Sequence, residues 1–364
     1  MSPTGEPAAT VHLPDCTTAF PGPYPTSPHA AHTEAHLRQW LDRFPLIPGD
    51  RARTLLAGIT GQGMARALPD ADPDSLALCA ELLAWLTAFD DIHGETANPH
   101  QPDRLTGLID LATALTAALN TDGPLPAGPF PAALDHVLTR LRARARPDHY
   151  QRLTSRIRGN LIGIVWEAHH RTRPQDVTLT LYRTVRPTTV FVHTLIACAQ
   201  LLDDTEPLPD RHQTAVLRGA ETAVADLAGW ANDIASYPKE AAAQTPTPPL
   251  SLVTLLIARD SLTPHAALAE AERMCQERAR TARTHLDALA ADAREPVRRH
   301  ARIIEHVAHA YLWHLGHERY TAHPARTGQH VSDGPPRRPA SPADVSAGTV
   351  PRADRAGTRG LNPS

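Results

Sequence analysis

From residue 31 to residue 320 the apolar side chains recur at helical spacing, and no strand-like alternation of comparable length interrupts them. Leu78, Leu82, Trp85, Leu86 and Phe89 in the stretch 74–91 show the pattern. A chain patterned this way buries its apolar stripes helix against helix. Further helices are predicted near 33–44, 51–67, 104–120, 129–143, 148–171, 178–202, 210–240, 263–290 and 294–320. Proline- and glycine-bearing breaks separate them, at Pro69, Asp122-Gly123-Pro124, Pro147, Pro174, Pro207–Pro209 and Thr245–Pro249. Asp72 and Thr263 stand where N-caps are expected. Residues 1–30, rich in Pro, Thr and Ala, are expected to be irregular. Residues 322–364 almost lack large apolar side chains and are expected to be disordered. The expectation is one all-α domain over 31–321, an antiparallel helical bundle.

Composition excludes several classes of function. A formal charge of −3 offers no basic surface for nucleic acid. No run of eighteen or more apolar residues suggests a membrane span, and residues 1–28 lack the layout of a secretory signal. Cys16, Cys79, Cys198 and Cys275 lie far apart without C-x-x-C spacing, as expected of reduced thiols in a cytoplasmic protein. The pair His169–His170 lacks further ligands at helical spacing and reads as surface.

Two constellations carry chemistry. Asp90-Asp91-Ile92-His93-Gly94-Glu95 closes an apolar helix. Adjacent carboxylates there repel one another and oppose the helix dipole, a cost that a hard cation such as Mg²⁺ removes. In a chain with 39 acidic residues, this motif alone reads rather as a solvated acidic turn. The second constellation runs from Asn232 to Glu240. Asn232, Ser236 and Glu240 stand at i, i+4 and i+8, so an amide, a hydroxyl and a carboxylate oxygen line one side of a helix. Beside them Lys239 is the one lysine among 36 basic residues, placed to meet a diphosphate. Pro238 is expected to kink or end the helix there.

Together these motifs resemble the D-D-x-x-x-E and N-D-x-x-S-x-x-K-E signatures of bacterial class I terpene synthases. The resemblance implies that Asp90, Asn232, Ser236 and Glu240 ligate Mg²⁺, supported by Asp91 and Glu95, with three ions in all. It also implies a diphosphate-sensing arginine 46 positions before the asparagine, which falls on Arg186. A helix break with an exposed backbone carbonyl follows at Thr189 and Val190, where Val190 departs from the glycine common in the family. The C-terminal Arg319-Tyr320 pair would meet the diphosphate, Trp166-Glu167 precedes Arg171 as in family members, and Trp85, Phe89, Tyr311 and Trp313 are candidate cavity aromatics.

The implied activity is Mg²⁺-dependent ionisation of an isoprenoid diphosphate, farnesyl diphosphate being the commonest family substrate, followed by cyclisation. The expected enzyme is a cytoplasmic monomer or homodimer. One alternative is a chain-elongating prenyl diphosphate synthase, but the second acidic pair, Asp203-Asp204, has the wrong spacing and reads as an interhelix loop. A non-catalytic helical isoprenoid-binding protein is the other.

Overall fold

The computed structural model describes residues 14–205, 211–242 and 249–315. Among them the secondary structure is helical throughout, with no strand. Twelve α-helices follow one another: α1 (Ala30–Arg43), α2 (Asp50–Ala67), α3 (Pro73–Phe89), α4 (Pro102–Thr121), α5 (Pro129–Arg142), α6 (Pro147–His170), α7 (Leu179–Val185), α8 (Val192–Leu202), α9 (Arg211–Ala242), α10 (Leu252–Asp260), α11 (Pro264–Ala290) and α12 (Glu295–Leu315).

Their ends obey local chemistry. The Asp72 carboxylate accepts from the Asp74 and Ser75 amides, both at 3.0 Å, with Pro73 in the first turn of α3. Thr263 caps α11 through the Ala266 amide. Helix α10 falls outside the sequence expectation. It is nine residues long and follows a proline-rich stretch, but Ser251 and Thr254 close a reciprocal capping box that starts it.

The central helix is α3, whose buried residues occupy every side of it. A helix apolar all round belongs in the middle of a bundle. Helix α9 packs along α11, α1 along α2, and α12 spans α2, α8, α9 and α11. Trp230 of α9 is fully buried beneath the guanidinium groups of Arg183 and Arg278, 5.1 and 5.5 Å from its ring. The irregular segment before α1 is not a loose end. Cys16, Ala19, Phe20 and Ser27 are buried, and the Ser27 amide donates to the Ala65 carbonyl of α2. All four cysteines are buried and free.

Two departures from periodicity matter. The stretch 178–202 reads as one helix but is broken at 186–191. A 3₁₀ turn (Arg186–Thr188) follows α7, and α8 begins only after Phe191. This stretch is apolar enough to suggest a membrane span by length and hydropathy. The break and its burial, 72% within the protein, identify it as core. Conversely, α9 does not end at Pro238 but runs through it to Ala242. The proline forfeits one backbone bond near the helix end, where few turns remain to be disturbed.

Candidate active site

The first motif begins where α3 gives out. Asp90–Gly94 form a π turn, in which the Glu95 amide reaches back to the Asp90 carbonyl at 2.7 Å. The wider turn swings Asp90 and Asp91 out of the α-helical register. Gly94 lets them sit there, since a Cβ at 94 would collide with the Asp90 carboxylate and lie 2.8 Å from Ile164 Cγ2. Burial pushes the Asp90 carboxyl well above the usual range. The charges of Glu167, Glu95 and Asp91 add to that shift, and Arg171 opposes it. A carboxylate so crowded by its own kind needs a proton or a hard cation.

The second motif lies on α9 and is organised by a residue absent from the sequence-based candidates. Asp233 is buried, and both of its oxygens are engaged. Oδ1 accepts from Arg186 Nε (3.1 Å) and Nη2 (2.8 Å). Oδ2 accepts from the Tyr182 hydroxyl and, at 2.8 Å, from the Leu252 amide that opens α10. Its position inside the motif, next to Asn232, was the available signal. Arg186 also donates to Thr189 Oγ1 (2.6 Å), the Gly229 carbonyl (3.4 Å) and the Asn232 side-chain oxygen (3.0 Å). The arginine and the asparagine, 46 residues apart, are thus in direct contact.

Glu167 joins the two motifs. One carboxylate oxygen lies 3.5 Å from Arg171 and the other 3.8 Å from Arg186. Arg171 in turn donates to the Gly94 carbonyl at 3.5 Å. Asp90, Arg186 and Asn232 therefore belong to one polar neighbourhood. Ser236 is half-buried on the same helix, its hydroxyl 3.5 Å from the Asp233 carbonyl. Lys239 and Glu240 continue α9, but their side chains lie outside the described residues, as do Arg319 and Tyr320 entirely.

Between Arg186 and α8 the break exposes carbonyls that a continuous helix would satisfy, and side chains take them up. Asn160 of α6 donates to the Thr188 carbonyl and accepts from the Thr194 hydroxyl. The Tyr311 hydroxyl of α12 donates to the Val190 carbonyl. Phe191 completes the break at φ 60°, ψ 0°, left-handed backbone that a bulky aromatic rarely adopts.

The candidate aromatics separate into three settings. Trp85 and Phe89 are fully buried and stack at 5.1 Å, next to Phe130, whose carbonyl accepts from the Trp85 indole at 2.8 Å. Tyr311 reaches the helix break. Trp313 lies 3.9 Å from the Arg66 guanidinium and lines a separate pocket of about 530 Å³ with residues 14–26, which none of the motif residues line. Asp203, which caps α8, pairs with Arg299 at 2.6 Å, so the second acidic pair is an interhelix loop.

The donor set suits a hard cation shared with a phosphorylated ligand. Among the described residues no three His, Cys, Asp or Glu side chains converge into a closed cluster. What is present is a crowded carboxylate at Asp90 and, on α9, a neutral amide at Asn232 and a hydroxyl at Ser236, oxygens that would leave coordination places for others around a hard cation.

Comparison with known proteins places this arrangement. Terpene synthase family 2, C-terminal metal binding, matches residues 81–281, which hold both motifs. A (12E)-labda-8(17),12,14-triene synthase of Streptomyces cyslabdanicus is 46% identical over 321 residues, covering 88% of this chain and 96% of the relative. One of the same name from Streptomyces anulatus is 45% identical, covering 85% and 95%. A labda-7,13(16),14-triene synthase of Streptomyces clavuligerus is 33% identical, covering 81% and 84%. The fold is shared with the crystal structure of linalool/nerolidol synthase from Streptomyces clavuligerus, at TM-score 0.67 and 20% identity over 80% of this chain and 97% of that one. This chain belongs to the bacterial class I terpene synthases, and it is a lyase of that family.

Proposed function

We propose that this terpene synthase acts on a C20 allylic diphosphate that already carries the bicyclic labdane skeleton, and releases a labdatriene and diphosphate. The observation that carries this reading is the 46% identity, over nearly the full length of both chains, to a synthase named for (12E)-labda-8(17),12,14-triene. It replaces farnesyl diphosphate, the expectation from the family at large. In such a product the side-chain diene stands where an allylic diphosphate would have left, so ionisation and the loss of one proton suffice. No new ring has to close.

Bound Mg²⁺, three ions by the family resemblance, would neutralise the diphosphate as it departs. Asp90, Asn232, Ser236 and Glu240 would hold the metal, with Asp91 and Glu95 in support. Arg186 donates to the diphosphate from a guanidinium already oriented by Asp233, so little reorganisation is needed as charge develops. Lys239, Arg319 and Tyr320 complete the set of donors.

The test is incubation of purified enzyme and Mg²⁺ with geranyl, farnesyl, geranylgeranyl and bicyclic labdane-type diphosphates, with gas chromatography of the extracts. A labdatriene from the bicyclic substrate, abolished by chelator, is expected. Turnover of farnesyl diphosphate alone overturns the C20 assignment.

A further inference from the structure

We propose that the cavity between residues 14–26 and helices α2 and α12 is a second ligand site, built for an apolar monocarboxylic acid that Arg66 anchors. The cavity has a volume of about 530 Å³, and none of the motif residues line it. Small-molecule pockets usually measure about 300–1,000 Å³. Phe20, Leu312, Trp313 and Leu315 give it apolar walls. Such walls alone would describe a packing gap, but the polar groups around them do not fit one.

The Arg66 guanidinium lies over the Trp313 ring, 3.9 Å from its centroid. Nη1 donates one turn back along α2, to the Gln62 carbonyl at 2.9 Å and the Gln62 side-chain oxygen at 3.2 Å. Nε and Nη2 form the edge that grips a carboxylate with two parallel bonds. Among the described residues that edge has no partner, and burial lowers the pKa of the group with no acidic neighbour opposing it. Two further polar atoms, the Tyr24 hydroxyl and His309 Nε2, are buried without a hydrogen-bond partner. Both residues line the cavity, and His309 is only 6% exposed. Buried polar atoms are seldom left unpaired, so these groups around one cavity point to the oxygens of a ligand.

Charge decides the class of that ligand. Burial holds the His309 imidazole at about 3, so Arg66 is the single cation among the lining residues at neutral pH. Asp15 lines the same cavity from an exposed position. Bonds from the Thr17 hydroxyl (2.7 Å) and amide (3.0 Å) hold its carboxyl below the usual range, so it is ionised. One guanidinium within and one carboxylate at the rim suit a monoanion with an apolar body. A diphosphate would bring charge that nothing in the cavity neutralises.

The test uses the full chain with decanoate and decanol, in Mg²⁺ and inorganic diphosphate so that the metal site proposed above is filled. Calorimetric titration gives affinities, and hydrogen exchange gives the location. Wild type is expected to bind decanoate at least about tenfold more tightly than decanol, with slower exchange in peptides covering 14–26 and 308–315. Arg66→Gln exchanges the guanidinium for a neutral amide. It is expected to weaken decanoate about 10–100-fold, the effect of losing hydrogen bonds to a charged group, and to leave decanol unchanged.

Equal affinities for decanoate and decanol overturn the proposal, as does undiminished decanoate binding by Arg66→Gln. Protection confined to other peptides overturns the location. Tighter binding of decyl phosphate than of decanoate overturns the monocarboxylate class. If Arg66→Gln fails to fold, the preference for decanoate and the exchange pattern of wild type decide.

Discussion

At the scale of single residues, the site depends on Asp233 more than on any side chain whose role was evident from the motifs. It takes no place in the implied metal shell, since Arg186, Tyr182 and the Leu252 amide already occupy both of its oxygens. Asp233→Ala leaves a buried guanidinium without its counter-ion, a change that costs about 3–5 kcal/mol. Tyr182→Phe removes one charge-assisted bond, worth about 1.5–3 kcal/mol. Thermal melts are therefore expected to rank wild type above Tyr182→Phe above Asp233→Ala, with activity following that order. Asn232→Ala, by contrast, is expected to melt within a few degrees of wild type while losing Mg²⁺-dependent turnover. Equal melting of Asp233→Ala and wild type would remove the hub from this account. The candidate ligands were legible because chelation fixes residue type and spacing within one helix. The hub was not, because an aspartate between ligands has no orientation until the neighbouring helices are placed around it.

At the scale of elements, periodicity located eleven of the twelve α-helices to within a few residues, counting α7 and α8 as the single stretch 178–202. It missed α10, whose start depends on a capping box and on Asp233 from another helix. The break at 186–191 was legible only through the family resemblance. Pro187 explains part of it, but Asn160 and Tyr311 on other helices satisfy its carbonyls, and no local pattern reports such partners. Two glycines let neighbouring helices approach the break. A Cβ at Gly163 of α6 would overlap the Thr188 hydroxyl and lie 3.1 Å from Thr189 Cγ2, and one at Gly229 of α9 would lie 3.0 Å from Arg186 Cγ. Gly163→Ala is accordingly expected to destabilise the fold by about 1–3 kcal/mol through overpacking. It should also raise KM by displacing Arg186. Denaturant titration and steady-state kinetics check both effects, and an unchanged KM would show that the break tolerates displacement.

For the whole molecule, the all-helical architecture followed from the sequence, because a pattern with no strand period leaves helix-on-helix packing as the way to build a core. Its response to acid follows from groups the motifs do not include. Burial holds the His193 imidazole at about 4 and the His309 imidazole at about 3, each with help from nearby positive groups. Below pH 6.5 the unfolded chain takes up these protons and the native protein does not. The stability each histidine contributes is therefore lost as pH drops from 6.5 towards 4, by up to about 1.4 kcal/mol per pH unit, while Asp226, raised by burial to about 6, acts in the opposite direction. Urea titrations at pH 7, 5.5 and 4.5 on wild type and His309→Phe should differ in slope by one proton. An equal slope in the variant would assign the acid response elsewhere.

The bond between Asp233 and the Leu252 amide also bears on how the chain tolerates lengthening. It spans 19 residues and brings the start of α10 back to the helix the polypeptide has just left. Closing such a loop depends only weakly on its length, each doubling costing about 0.6 kcal/mol. An insertion between residues 243 and 248 is therefore expected to leave melting temperature and turnover close to wild type.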